Sequence, residues 1–215
     1  MKSLDELVAG FHRFQQRYFQ SERKLYEKLM LQGQAPKVMV VACCDSRVDP
    51  AIVTDCDPGD LFVVRNVANL VPPCEEGGGY HGTSAALEFA VRCLRVEHVI
   101  VMGHTRCGGI RALLGDIRCS ETATQFISPW MSIADDARRE ALAASSGATL
   151  DELASACERA AVRASLRNLM TFPFVREAVG EGSLELHGWY FDLDRGELLV
   201  CSPASAGFEV AVAGS

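Results

Sequence analysis

The stretch "KVMVVACCDSRVDP", residues 37–50, decides the fold and raises the question of function. Val38 to Cys43 form a short, β-branched apolar run, the composition of a strand buried on both faces of a parallel sheet. Such runs ordinarily stop at Gly, Asn or Pro. This one stops at Cys43, Cys44, Asp45 and Arg47. Two further runs share its character, "LFVVRN" at 61–66 and "HVIVMG" at 98–103. Between those two lies the amphipathic segment "GTSAALEFAVRCL" (82–94), preceded by "EEGGGYHG", read as a flexible connection.

Residues 130–180 read as helices, with Pro173 opening the last and Gly180 closing it. "SLELHGWYFDLDRGELLVC" (183–201) reads as two strands joined at "DLDRG". The order strand, helix, strand, helix, strand, helices, hairpin predicts an α/β fold: a mostly parallel sheet with an antiparallel edge strand, flanked by helices. Ahead of it, Ser3 and Glu6 form a capping-box pattern before Leu4, Leu7, Val8, Phe11, Phe14 and Tyr18 at helical spacing. Ser21 is a candidate cap for a second helix ending at Gly33. This arm, residues 1–33, is apolar on one face and must cover the core or another subunit. With no repeat, low-complexity tract or linker, residues 1–215 are expected to form a single domain.

Composition narrows the function classes. The chain has 215 residues, 48% hydrophobic and 23% charged, ordinary values for a globular protein with a real core. A net charge of -7 argues against nucleic acid as the main partner. No apolar run approaches the roughly 18 residues of a membrane span, and the N-terminal stretch lacks the apolar core of a secretory leader. Nine scattered cysteines point to a reducing compartment, the cytoplasm or an organellar matrix, rather than to a disulfide frame. Cys56, Cys74, Cys93, Cys119, Cys157 and Cys201 show no ligand spacing and read as packing or half-exposed thiols.

Open parallel sheets bind ligands beyond the carboxyl ends of their strands. The third strand ends in "GHTRCGG", which sets His104 and Cys107 three apart, facing the same way on a helical turn. Each alone would read as a core residue. Joined by a cysteine from the first strand they form a Cys2His set, and three protein ligands leave a zinc ion one position for water. Zinc lowers the pKa of that water to about 7. Neighbouring strand residues point to opposite faces, so Cys43 and Cys44 cannot both enter one site, and spacing does not choose between them. Asp45 is placed to orient a zinc-bound hydroxide, and Arg47 to hold Asp45 bidentately. "GHTRCGGI" imitates the start of a phosphate-binding loop but lacks its lysine. Gly108 and Gly109 still present bare N–H groups suited to a small anion such as bicarbonate.

At these residues the chain resembles the β-class carbonic anhydrases, in their plant-like subtype. "ACCDSR" matches the family's C-x-D-S-R and "GHTRCGG" its G-H-x-x-C-G-G, with "GQAPKVMVVAC" and "GDLFVVRNVANLVPP" similar to the flanking segments. The likeness is close over residues 25–115 and looser elsewhere. It implies zinc on Cys43, His104 and Cys107, and Asp45 with Arg47 as the catalytic dyad. It also implies a CO2/bicarbonate site formed by Gln34, Phe62, Val67, Phe89 and Gly108 across a subunit boundary. Phe89 stands where the subtype usually carries Tyr. The implied reaction is reversible hydration of CO2 to bicarbonate and a proton by attack of zinc-bound hydroxide. The implied assembly is a homodimer at least, a tetramer or larger in many members, with the arm lying on its neighbour. His81 and His98 are available as proton carriers. Some members carry an inhibitory bicarbonate site built on Trp, Arg and Tyr. Here those positions are Val40, Arg65 and Phe191, which implies constitutive activity. Rival readings are a hydrolase of carbon disulfide or carbonyl sulfide on the same scaffold, a non-catalytic zinc-stabilised module with Asp45 as fourth ligand, and a thiol redox protein using Cys43 and Cys44.

Overall fold

The computed structural model describes residues 2–21, 23–75, 77, 79–116, 125–144, 147–201 and 207–214. Cys119 lies outside the described residues, as do Glu76 and Gly78 of the glycine-rich loop. The chain divides into two compact units, Met1–Ala35 and Pro36–Ser215; the first corresponds to the expected arm.

In the first unit α1 (Leu4–Gln15) starts at the predicted capping box. Ser3 Oγ accepts the Glu6 N–H, and the Glu6 carboxylate accepts the Ser3 N–H. The chain then widens into a π-helical turn, Gln16–Ser21, before α2 (Arg23–Gln32). Ser21 therefore belongs to that turn instead of capping α2. The wider turn lets two consecutive rings face one way: Tyr18 and Phe19 both pack on Tyr26, at 5.7 and 4.8 Å, and on Phe14. Gly33, at φ +73°, ends α2 as expected. Leu4, Leu7, Val8 and Phe11 remain more than half exposed.

The second unit holds β1 (Val38–Cys43), α3 (Pro50–Val53), β2 (Leu61–Asn66), α4 (Gly82–Glu88), β3 (His98–His104) and α5 (Gly108–Leu113). Next come α6 (Ile127–Met131), α7 (Asp135–Ala144), α8 (Leu150–Leu169), α9 (Pro173–Gly180), β4 (Glu185–Asp192), β5 (Glu197–Cys201) and β6 (Phe208–Val212). The six strands form one sheet in the order β2-β1-β3-β4-β5-β6. The first four are parallel, and β5 and β6 return antiparallel. The expected architecture is present, with one strand more than the sequence pattern showed. β6 escaped it because "FEVAV" is short and mostly exposed, without the continuous apolar run of the inner strands. The predicted helix over 82–94 is α4 continued by a π-helical turn, Phe89–Leu94.

α8 lies close against the sheet because both surfaces are pared down. Its buried face is small, with Ala154, Cys157, Ala160, Ala161 and Ala164. Beneath it are Gly103 on β3 and Gly188 on β4. A Cβ on Gly103 would sit 2.6 Å from Val162, and one on Gly188 2.9 Å from Leu166. Strand order reverses between β1 and β3, so the crevice beyond their carboxyl ends is a topological switch point.

Candidate metal centre

β1 ends with Cys43 buried and Cys44 exposed, as strand alternation requires. β3 ends on His104, and the chain turns through Thr105 and Arg106. Arg106 adopts the left-handed conformation, φ +60°, uncommon outside glycine, and so brings Cys107 back to the same crevice. The Cys43 and Cys107 sulfurs lie 3.9 Å apart. These two and a ring nitrogen of His104 all lie within 4.8 Å of one another, on three buried residues.

The donor set fits a zinc ion. His104 Nδ1 donates to the Thr105 carbonyl at 2.8 Å, which fixes the tautomer and leaves Nε2 as the lone-pair nitrogen. That Nε2 is buried and has no hydrogen-bond partner. An orphaned buried nitrogen costs about 1–3 kcal/mol unless something occupies it. Two zinc–sulfur bonds of about 2.3 Å at a tetrahedral angle would separate the sulfurs by about 3.8 Å, the spacing already present. Contact with Cys107 draws the Cys43 thiol well below the ordinary thiol range, while the same contact and burial push Cys107 up. One thiolate is thus favoured before any cation arrives.

Asp45 sits two residues past Cys43. Its carboxylate accepts from Arg47 Nε at 3.0 Å, from Arg47 Nη2 at 2.7 Å and from the Arg47 backbone N–H at 3.0 Å. The guanidinium's hydrogen bonds hold the Asp45 pKa at about 2. Arg47 Nη2 also donates to the Arg106 carbonyl, tying the pair to the turn that carries His104 and Cys107.

Two residues with no expected part here anchor the candidate ligands. Arg65 on β2 donates to the carbonyls of Cys43 (2.9 Å) and Asp45 (2.6 Å) and to the Asp49 carboxylate (2.6 Å). The sequence offered Arg65 only as one member of an anion site. Glu158 of α8, 2% exposed, accepts the Cys107 N–H at 2.8 Å and the Tyr190 O–H at 2.7 Å. Burial pushes its carboxyl pKa up against those two bonds. Its signal was legible: an acid three or four residues from Ala154, Ala161 and Val162, in the buried stripe of a helix.

The expected substrate residues divide. Val67 follows β2 and lies against the start of α5, where a Cβ on Gly109 would meet its side chain at 2.8 Å. Gly108 opens α5 with nothing within 4 Å of where its Cβ would stand. Phe62 and Phe89 pair with each other, ring centroids 6.0 Å apart. Phe62 lies beside Met39, four residues before the rung that joins Cys43 to Asn66, about 13 Å short of the ligand end. Within one chain they do not join Cys43. Gln34 belongs to the first unit. His98 is six residues before His104 on β3, about 20 Å away, so it cannot relay protons for that centre in the same chain. His81 borders a cavity of about 780 Å3 that Asn66, Val67, Phe126 and Trp130 also line. Val40 is buried in β1, and Phe191 stands opposite His104 on β4.

A family model described as carbonic anhydrase matches residues 38–198. Beta carbonic anhydrase 5, chloroplastic, of Arabidopsis thaliana is 41% identical over 193 residues, covering 87% of this chain and 61% of the relative. A carbonic anhydrase of Synechococcus elongatus is 35% identical over 201 residues, covering 94% of this chain and 72% of the relative. The chain thus spans less than two thirds of the plant relative's length. Among solved structures, the β-carbonic anhydrase CcaA superposes with a TM-score of 0.87 at 32% identity, covering 96% of this chain and 98% of that one. One of two tetrameric β-carbonic anhydrases of Sordaria macrospora gives 0.71 at 29%, covering 98% and 94%. The family match begins at β1 and runs through both strands that end in the Cys2His set to β5, and with these relatives it places the chain in the β-class carbonic anhydrase family.

Proposed function

We propose that this chain catalyses the reversible hydration of CO2 to bicarbonate and a proton, using one zinc per subunit held by Cys43 Sγ, His104 Nε2 and Cys107 Sγ. The observation that carries the reading is the partnerless His104 Nε2 beside two sulfurs at zinc-thiolate spacing. Zinc, when bound, supplies a hydroxide nucleophile near neutral pH and a Lewis acid. Asp45, ionised and acceptor-only, takes a hydrogen bond from the attacking oxygen with lone pairs that Arg47 leaves free. Arg47 fixes its orientation. Cys43 and Cys107, as thiolates, bring two negative charges that weaken retention of an anionic product. Val67 and Gly108 shape the wall nearest the ligands. Both Asp45 oxygens engage Arg47, which favours turnover over a closed, four-ligand structural site.

The exposed apolar residues of α1 and the separation of Phe62 and Phe89 from Cys43 support a homodimer at least, in which a partner completes the CO2 pocket with Gln34. The eight described cysteines are all free, which supports a reducing compartment, the cytoplasm or an organellar matrix. No helix among the described residues is long and apolar enough to cross a membrane. Val40 and Phe191 lack the donors that an inhibitory bicarbonate would need, supporting constitutive activity.

Stopped-flow CO2 hydration tests the reading. Activity should vanish with chelation and return with zinc, and Asp45→Asn should keep one zinc while losing about 10²-fold or more in kcat. Zinc-loaded protein that turns over carbon disulfide but not CO2 would overturn it.

A further inference from the structure

At the other end of the sheet lies a second group of ligand-type side chains. His98 opens β3, and its register partner Glu185 opens β4, with His187 two residues further on the same face. This face also carries Val40, Ile100 and Trp189, and it is the one turned away from α8. Two of the chain's five histidines meet here.

The distances define a triangle. His98 Nδ1 and His187 Nε2 lie 3.2 Å apart, and Glu185 Oε2 is 3.7 Å from the first and 3.6 Å from the second. A hydrogen bond between the imidazoles would account for the first edge. It does not account for the carboxylate, which is too far from either nitrogen to be bonded to it. A four-coordinate zinc-type ion has Zn–N bonds of about 2.0–2.1 Å and Zn–O bonds of about 2.0–2.2 Å, so its ligand atoms stand about 3.3–3.5 Å apart. All three edges fall near that span. A cleft of about 670 Å3 lined by His98 and Glu185 is also lined by Glu177, Glu181, Arg92 and Arg95, and Arg92 is already engaged by Glu88.

We propose that His98, Glu185 and His187 form a second metal site, for a divalent transition cation of the zinc class. Two imidazoles and one carboxylate suit Zn2+, Ni2+ or Cu2+ in preference to Mg2+ or Ca2+. The ligands are partly exposed, so the remaining coordination position opens to solvent and the ion exchanges readily. It would pin β3 to β4 at their amino ends, about 20 Å from His104 along β3. The site is independent of the Cys43 centre and of the activity proposed for it.

Tag-free protein already holding one zinc per chain is dialysed against micromolar Zn2+ and its metal measured. Two zinc ions per wild-type chain are expected, with a rise in melting temperature. Glu185→Gln should bind the second ion at least tenfold more weakly, and His98→Ala with His187→Ala should keep only the first. All three proteins should hydrate CO2 equally, which separates this site from the other. Co2+ added to the zinc-loaded wild type should show ligand-field bands of a nitrogen–oxygen site without thiolate charge transfer. One zinc per wild-type chain, two in the double-histidine variant, or a thiolate band on the added cobalt would each overturn the proposal. Glu185, exposed at a strand end, gives a variant that does not endanger folding.

Discussion

Replacing Glu158 with Ala removes the acceptor of two buried donors at once, and the structure gives the size of the effect. The Cys107 N–H and the Tyr190 O–H both end on this carboxylate, at 2.8 and 2.7 Å, and both residues are 1% exposed. Each donor left without a partner costs about 1–3 kcal/mol, so the pair should cost about 4 kcal/mol before any cavity is counted. For a chain of this length each kcal/mol moves the melting temperature by about 2–4 °C, giving a fall of about 8–16 °C. Glu158→Gln keeps an acceptor for the Cys107 N–H but can turn its amide N–H toward Tyr190, whose O–H then lacks this acceptor, so it should cost about 1–3 kcal/mol, less than Glu158→Ala. Tyr190→Phe withdraws one donor and should cost about 1–2 kcal/mol. Combined with Glu158→Ala, it should cost less than the sum, because one of the orphaned groups no longer exists. The assay is thermal unfolding at fixed pH and fixed excess zinc, since bound metal itself raises stability. Zinc release to a chelator adds a second readout. With Cys107 no longer anchored, Glu158→Ala should hold zinc about 10–100-fold more weakly. A Glu158→Ala protein melting within about 2 °C of wild type, or an additive cycle, would refute the reasoning.

Cys43→Ser should lose zinc and hydration while Cys44→Ser keeps both, checked by metal analysis and stopped flow; the reverse result would reassign the ligand. The Asp45 carboxyl is held at about 2 against an ordinary 3.8, chiefly by Arg47. A depressed acid contributes stability present above its unfolded pKa and lost as pH falls through its folded one. Urea titrations between pH 5 and 2 should therefore show wild type losing stability faster than Asp45→Asn. Gly103→Ala would place a methyl 2.6 Å from Val162 and should cost about 1–3 kcal/mol, partly restored by adding Val162→Ala; calorimetry decides. Deleting residues 1–30 should yield aggregated or inactive protein by size-exclusion chromatography, and an active monomer would contradict the dimer reading.

Much of this was legible because the inner strands are buried on both faces and leave unbroken apolar runs. The same reading put two metal-type strand ends together although Cys43 and Cys107 lie 64 residues apart in sequence, since β1 and β3 are alike in character and both end in ligand-type residues. It could not choose between Cys43 and Cys44, because alternation says only that they face opposite ways; which way is settled by packing. The π-helical turns at Gln16–Ser21 and Phe89–Leu94 have no residue signature distinct from an α-helix. The capping box of Thr149 and Glu152 that starts α8, by contrast, carries a T-x-x-E signal that the helical reading of residues 130–180 did not use. Arg65 and His187 were out of reach for another reason. Arg65 bonds two backbone carbonyls and a carboxylate 16 to 22 residues away, which no side-chain pattern pairs with it, and His187 meets His98, 89 residues away, only through the register of β3 and β4.

On the proposed zinc reading, Arg65, Glu158 and the Thr105 carbonyl would also bear on which ion the cage accepts. Each immobilises a different ligand through a bond that owes nothing to the other two. The sulfurs stand 3.9 Å apart and need not contract around a smaller guest or spread for a larger one. Mg2+, which demands six oxygen neighbours in a near-perfect octahedron, finds neither the oxygens nor the room. A tetrahedral, thiophilic ion meets ligands whose ordering entropy was lost when the chain folded, so little further freedom is surrendered on capture. On that reading, selectivity would be a property of the scaffold's stiffness as much as of the three donor atoms.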